Sequence, residues 1–410
     1  MTHSPAQSPP HPSPHSSPTA NQPQGADAVM FITPRPNLTM VRGQGSWLWD
    51  DQGKRYLDFV QGWAVNSLGH SPKVLRQALA RQAGVLVNAS PAFYNNAMLD
   101  FAGWLTRQSG LDRVFFANSG AEANEGAVKL ARKWGKVHRH GAFEVITTHN
   151  SFHGRTLAMM SASGKPGWDK LFEPKVPGFP KVPFNDLDAM AHAITPKTAA
   201  ILVEPVQGEG GVIVPSPHYL TGLRKLCDEK GVLLMLDEIQ TGMGRTGTLF
   251  AFQRHGILPD VMTLGKGLGG GFPVAAVLAR QPVCLFEAGE QGGTFNGQPL
   301  AMAAGLAVAQ EIERKRLAER AEKNGRYLQK KLNAMGKTLG LTSVRGQGLL
   351  VAVDLPQEKG PQVVAAALQA GLLVNSPRPA TLRLMPALTV SRGEIDQMLD
   401  MLEQVLKQVL

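Results

Sequence analysis

Val261-Met262-Thr263-Leu264-Gly265-Lys266-Gly267-Leu268-Gly269-Gly270-Gly271 decides how this chain is read: a short apolar run stops at a glycine, and a lysine follows inside a glycine-rich turn. A lysine there can meet a cofactor. Upstream, Val232-Leu233-Leu234-Met235-Leu236 ends in Asp237, and Ser119-Gly120-Ala121 opens a helix-like stretch from Glu122 to Lys136. Amine, carboxylate and backbone cradle each follow a candidate strand, and open α/β sheets bind ligands beyond the carboxyl ends of their strands.

That trio is what pyridoxal 5'-phosphate requires. The amine of Lys266 can form a Schiff base with its aldehyde, and partial desolvation would lower the lysine pKa so that it can also shuttle protons. Asp237, beside the pyridine nitrogen, would keep that nitrogen protonated and the ring electron-withdrawing. The phosphate wants unpaired backbone N–H groups at a helix start, which Ser119, Gly120 and Ala121 offer. Their small size lets the backbone come close.

Five ordered motifs extend the pattern: Phe115-Phe116-Ala117-Asn118-Ser119-Gly120-Ala121-Glu122-Ala123-Asn124-Glu125, Phe152-His153-Gly154-Arg155-Thr156, Glu204-Pro205-Val206-Gln207-Gly208-Glu209-Gly210-Gly211, Leu236-Asp237-Glu238-Ile239-Gln240-Thr241-Gly242 and Leu264-Gly265-Lys266-Gly267. From about Phe31 onward the chain resembles the class III, fold type I aminotransferases, and among them the acetylornithine and ornithine aminotransferases. The resemblance implies that Phe152 and Ile239 cover the two faces of the pyridine ring and that Gln240 donates to the cofactor's phenolic oxygen. Thr294, in Gly292-Gly293-Thr294-Phe295-Asn296-Gly297, resembles the threonine that reaches the phosphate of a neighbouring subunit, implying a homodimer with a shared site. Arg155 looks like the clamp for the substrate carboxylate remote from the reacting amine, and Arg383 like the clamp for the α-carboxylate of glutamate, with Glu204 as its partner when that carboxylate is absent. Ala64-Val65-Asn66-Ser67-Leu68-Gly69-His70 and the Ser119 loop resemble acetylornithine enzymes. Phe93-Tyr94-Asn95-Asn96 resembles the ornithine enzymes, and Tyr94 joins the substrate-binding candidates.

Taken singly, each residue has a plainer reading. A lysine after a strand is usually a solvated charge, an acid there is often a turn or cap, and arginines and glutamates commonly make surface ion pairs. The set favours catalysis. His149 and His153 stand four apart but lack a third ligand, so no metal is expected. Gly242-x-Gly244-x-x-Gly247 and Gly265-x-Gly267-x-x-Gly270 both match a dinucleotide fingerprint. The second leads into Gly271-Phe272-Pro273 and a strand instead of a helix, and the first lies late in the chain, after Asp237.

Composition sets outer bounds. With 410 residues, 43% of them hydrophobic, the chain can bury substantial cores, and no run approaches membrane-spanning length. Residues 1–28 are rich in Pro, Ser and His and read as a disordered tail without the apolar core of a secretory signal. Two cysteines, Cys227 and Cys284, lie far apart, read as buried thiols and agree with a reducing cytoplasm. The net charge of +10 comes from scattered lysines and arginines, which points to anionic substrates and not to nucleic acid.

Alternating strand and helix signals predict an α/β fold with a mainly parallel, doubly wound sheet. Candidate strands are Arg113 to Ala117, Glu144 to Thr148, Ala200 to Val203, Val232 to Leu236, Val261 to Leu264 and Val274 to Leu278. The large, cofactor-binding domain is placed at 71–300. A smaller α+β domain combines residues 29–70 with 301–410, the latter opening on a long amphipathic helix pattern. The implied activity is transfer of the ω-amino group of N2-acetylornithine to 2-oxoglutarate, giving N-acetylglutamate 5-semialdehyde and glutamate in arginine biosynthesis. Ornithine or another ω-amino acid is the nearest alternative donor, and a non-catalytic nucleotide or nucleic-acid binder is the more distant one.

Overall fold

The computed structural model describes residues 23–410. The tail reading for 1–28 therefore lies mostly outside the described residues, and within them Ala26–Ala28 forms a short 3-10 turn. Three N-terminal strands come first: β1 (Met40–Gln44), β2 (Trp47–Asp50) and β3 (Arg55–Asp58). The central region supplies β4 (Arg113–Ala117), β5 (Glu144–Thr148), β6 (Lys181–Val182), β7 (Thr198–Val203), β8 (Leu233–Asp237), β9 (Val261–Leu264) and β10 (Ala275–Ala279). The C-terminal region adds β11 (Thr342–Gln347), β12 (Leu350–Asp354), β13 (Leu372–Leu373), β14 (Asn375–Arg378) and β15 (Thr381–Leu384).

The central strands form one sheet of seven in the order β4-β10-β9-β8-β7-β5-β6. Pairing is parallel from β9 across to β6, while β10 runs antiparallel to both β9 and β4. Every residue of β7 and β8 is buried. That is why their sequences are continuous apolar runs without alternation, as expected of strands covered on both faces. Because β10 reverses direction, the connection carrying Lys266 needs no crossover helix and stays at one end of the sheet.

Two smaller sheets flank this one. Strand β3 pairs parallel with β13, through Leu57 and Leu372, and so ties the N-terminal strands to the C-terminal region. The other sheet has the order β11-β12-β15-β14 and sets Ala352 opposite Arg383. The helix pattern beginning near Ala301 is two helices, Pro299–Arg314 and Leu317–Leu339, separated where Arg316 adopts a left-handed φ of 50°. Cys227 is buried but Cys284 is only half-buried, because it follows the short turn that leaves β10. Among the described residues no helix is long and apolar enough to cross a membrane.

After β3 the chain makes a left-handed turn, with φ of 50° at Gln61, 58° at Gly62, 65° at Trp63 and 64° at Ala64. Such a conformation costs about 1–2 kcal/mol at each non-glycine residue. Asp58 Oδ1 supports the entry to this turn by accepting from the backbone N–H groups of Val60, at 2.7 Å, and Gln61, at 2.9 Å. The turn holds the Trp63 ring 5.8 Å from the Arg383 guanidinium.

Candidate active site

Adjacent parallel strands place the two central groups. Asp237 is the last residue of β8 and pairs with Thr263 of β9, and Lys266 follows two residues after β9 ends. Lys266 has a positive φ of 43°, a strained conformation of the kind that clusters at functional sites. Across from them, β4 leads into the helix Gly120–His138, whose first turn is capped by Ser119 Oγ accepting from Glu122 N–H at 3.3 Å. Gly120 has to be small: a Cβ there would lie 2.8 Å from Ile239 Cδ1. A cavity of about 240 Å³ opens between these elements, lined by Gly120, Ala121, Phe152, His153, Gly154, Glu204, Glu209, Asp237, Ile239, Gln240 and Lys266.

Asp237 is buried and held from three directions. Its Oδ2 accepts from Asn124 Nδ2 at 2.8 Å and from His153 Nδ1 at 2.8 Å, while Oδ1 accepts from Ile239 N–H at 3.1 Å. Because a carboxylate only accepts, His153 carries its proton on Nδ1. Asn124 is itself oriented by Thr263 Oγ1, which donates to its Oδ1 at 2.7 Å. Burial lowers the Lys266 pKa from the ordinary lysine value, with Glu209 pulling it up and Arg383 pushing it down. The amine is thus more readily available as a base than an exposed lysine.

The expected pairing of Glu204 with Arg383 is corrected by the structure. Arg383 is fully buried, and its Nη2 donates to Glu209 Oε1 at 2.7 Å, its Nε to Asn375 Oδ1 at 2.9 Å and its Nη1 to Gln240 Oε1 at 3.4 Å. Burial would raise the Glu209 carboxyl, but Arg383 and then Lys266 outweigh it and hold it below the usual range. Glu204 instead accepts from the backbone N–H groups of Phe152, at 3.0 Å, and Gly208, at 3.1 Å, and burial pushes its carboxyl up to about 7. It braces two segments of the cavity wall. Glu209, five residues on, reaches the arginine because the backbone bridge between Gln207 and Ile213 folds this segment back on itself.

Not every expected residue reaches the cavity. Ser119 is exposed at the helix start beside it. Arg155 is exposed and stacks over Trp168 at 5.3 Å, and Trp168 meets Phe152 edge-on at 5.6 Å, so Arg155 stands at the rim instead of in the lining. Tyr94 is 84% exposed and Thr294 is exposed as well. Their two segments are joined where Asn95 Nδ2 donates to Gly297 O at 2.9 Å, and Asn296 Oδ1 accepts from Asn118 Nδ2 at 2.8 Å beside the helix start. Sequence reasoning passed over His153 as a site residue, as well as Asn124, Asn375 and Glu209. His153, Glu209 and Asn124 all lay inside the five motifs, and Asn124 stands one helical turn after Gly120 on the buried side of that helix.

These residues fit pyridoxal phosphate. Gln240 Nε2 is buried and has no hydrogen-bond partner among the described residues, so it has a donor to offer a bound group. A lysine amine, a buried carboxylate and the opening turn of a long helix face the same cavity, with the side chains of Phe152 and Ile239 in its walls.

The fold and this cavity define a transaminase of known type: a family profile described as aminotransferase class III matches residues 32–406, and the chain belongs to that family. Among its relatives are acetylornithine aminotransferase 2 of Bordetella bronchiseptica, 55% identical over 93% of this chain and 98% of that protein, and the acetylornithine aminotransferase of Ralstonia nicotianae, 52% identical over 93% and 97%. Among solved structures, the ornithine aminotransferase of Toxoplasma gondii superposes with a TM-score of 0.90 at 34% identity, covering 94% of each chain. The N-acetylornithine aminotransferase of Stenotrophomonas maltophilia superposes with a TM-score of 0.80 at 35% identity, covering 92% of this chain and 96% of that one.

Proposed function

We propose that this pyridoxal phosphate-dependent aminotransferase moves the ω-amino group of N2-acetylornithine to 2-oxoglutarate, giving N-acetylglutamate 5-semialdehyde and glutamate. The observation that carries this reading is the pair between buried Arg383 and half-buried Glu209 beside Lys266, at 2.7 Å. An enzyme that accepts an ω-amine in one half-reaction and glutamate in the other needs an arginine that is masked in the first and available in the second. A paired buried guanidinium meets that need, since its charge is compensated until a substrate carboxylate replaces Glu209. The relatives named acetylornithine aminotransferase favour this donor over ornithine.

When bound, pyridoxal phosphate supplies an aldehyde that takes up the donor amine and a ring that accepts the electrons released when the adjacent C–H bond breaks. Lys266 Nζ would hold the cofactor between turnovers and, displaced by the donor, would be placed to take the proton from the amine-bearing carbon. Asp237, its carboxylate fixed by Asn124 and His153, would keep a proton on the ring nitrogen. The first turn of the helix at Gly120 and Ala121, next to Ser119, would receive the phosphate, Gln240 Nε2 would donate to the phenolic oxygen, and Phe152 and Ile239 would confine the ring. Arg155, at the rim, takes the carboxylate remote from the reacting ω-amine.

A steady-state panel of amine donors with 2-oxoglutarate tests the assignment. N2-acetylornithine should give the highest kcat/KM, and a clear preference for ornithine would replace it as donor. In the same assay, Glu209→Ala should shift selectivity toward glutamate on the order of ten- to a hundredfold, because Arg383 is then never masked. Unchanged selectivity would rule out the masking role.

The same reading takes the enzyme as a cytoplasmic homodimer. Met30, Phe31 and Ile32 are each at least 80% exposed, and Phe93, Tyr94 and Phe295 are exposed as well, large apolar side chains that a second copy would cover. The dimer would bring Thr294 and Tyr94 to the partner's site. Sedimentation equilibrium should give twice the 44.0 kDa chain mass, and a monomer at micromolar concentration would refute it.

A further inference from the structure

Among the described residues, Arg245 is a buried guanidinium without a carboxylate partner. Only 2% of it is exposed, its Nη2 has no hydrogen-bond partner among them, and burial alone pushes its pKa down to about 9. A charge left uncompensated in this way is costly to keep. Its contacts point to what it does. Nη1 donates to Leu349 O at 3.0 Å and to Pro386 O at 2.6 Å, and its own backbone carbonyl accepts from Leu349 N–H at 2.9 Å. Leu349 immediately precedes β12, and Pro386 stands two residues beyond β15. Those two strands pair, and Arg383 lies opposite Ala352 within that pair. At its other end, Arg245 sits in the turn-rich segment that follows Gln240, the residue whose Oε1 accepts from Arg383.

We propose that Arg245 is a positioning residue for the glutamate half-reaction: it pins the end of the strand pair that carries Arg383 to the segment that carries Asp237 and Gln240, and so sets how Arg383 meets the α-carboxylate. The inference rests on the reading of Arg383 as the α-carboxylate clamp. A displacement of about 1 Å at such a clamp can cost on the order of a hundredfold. The amine-donor half-reaction leaves Arg383 paired with Glu209 and asks it to meet no substrate carboxylate, so it is affected less.

The test uses the cofactor-loaded enzyme and single-turnover measurements of the two half-reactions separately, in wild type, Arg245→Met, Arg383→Ala and the double variant. Arg245→Met should raise the concentration of glutamate needed for half-maximal rate by about tenfold or more, with the acetylornithine half-reaction changed less than about threefold. In the Arg383→Ala background the same substitution should add little, since the residue it positions is gone. If Arg245→Met does not fold, Arg245→Lys, which can still reach one carbonyl, should show the same split at smaller size. Equal losses in both half-reactions, or full additivity with Arg383→Ala, would overturn the inference alone. A glutamate half-reaction untouched by Arg383→Ala would overturn the reading of Arg383 and the inference with it.

Discussion

Lys266→Ala is expected to lower turnover about a thousandfold or more while the protein still folds and takes up pyridoxal phosphate without a covalent bond. The expectation follows from where the lysine sits. Among the described residues it contributes the one amine in the cavity lining, yet the other walls, from Gly120 and Ala121 to Phe152, Ile239 and Gln240, do not depend on it. Alanine keeps the Cβ that makes a φ of 43° unfavourable, so the backbone strain stays as it is and thermal stability should change little. Stopped-flow turnover and the visible absorbance of the cofactor, before and after borohydride, make the comparison. Transamination near the wild-type rate, or cofactor still fixed to the chain by borohydride, would remove Lys266 from its role.

Asp237→Asn should slow proton removal from the donor by on the order of ten- to a hundredfold, the value of a charge-assisted hydrogen bond, and by more than it weakens cofactor binding. The surroundings make the amide a poor substitute. Oδ2 accepts from both Asn124 Nδ2 and His153 Nδ1, so an amide nitrogen turned toward them would face two donors. Turned the other way, it would face Ile239 N–H, which donates to Oδ1. Either orientation strands a buried donor as well as losing the charge. Unchanged single-turnover rates would show that Asp237 does not hold the ring proton.

Much of this arrangement could be read along the chain, because strand ends and small residues leave local signatures. The limits Arg113–Ala117, Glu144–Thr148 and Val261–Leu264 agree with the observed strands, since apolar runs bounded by turn residues mark buried strands well. Lys181–Val182 was invisible, being two residues set among prolines and a glycine. The break at Arg316 was equally silent, because Lys315-Arg316 is a helix-favouring pair and the amphipathic pattern runs through it. The left-handed turn from Gln61 to Ala64 shows only Gly62 as a cue, and three of its four residues resist that conformation on their own. Glu204 and Glu209 make the limit plainest. Both lay in one motif, but which of them faces Arg383 depends on how the segment folds back between Gln207 and Ile213, and that path is not written in the spacing. Arg245 escaped notice for a similar reason, since its partners are backbone carbonyls more than 100 residues away.

The reversed strand β10 carries a consequence for how the site comes into being. Its partner β4 lies roughly 160 residues earlier in the chain, so their pairing closes a long loop and weighs heavily on contact order. Gly120 follows β4 and Gly265 precedes the connection into β10, and a Cβ on Gly265 would sit 3.5 Å from Gly120 Cα. Until that distant pairing forms, the lysine and the helix start proposed to receive the phosphate belong to separate parts of an unfinished fold. The cofactor is therefore a ligand of the finished fold alone, and its binding free energy adds to the stability of the whole sheet and not of any piece of it.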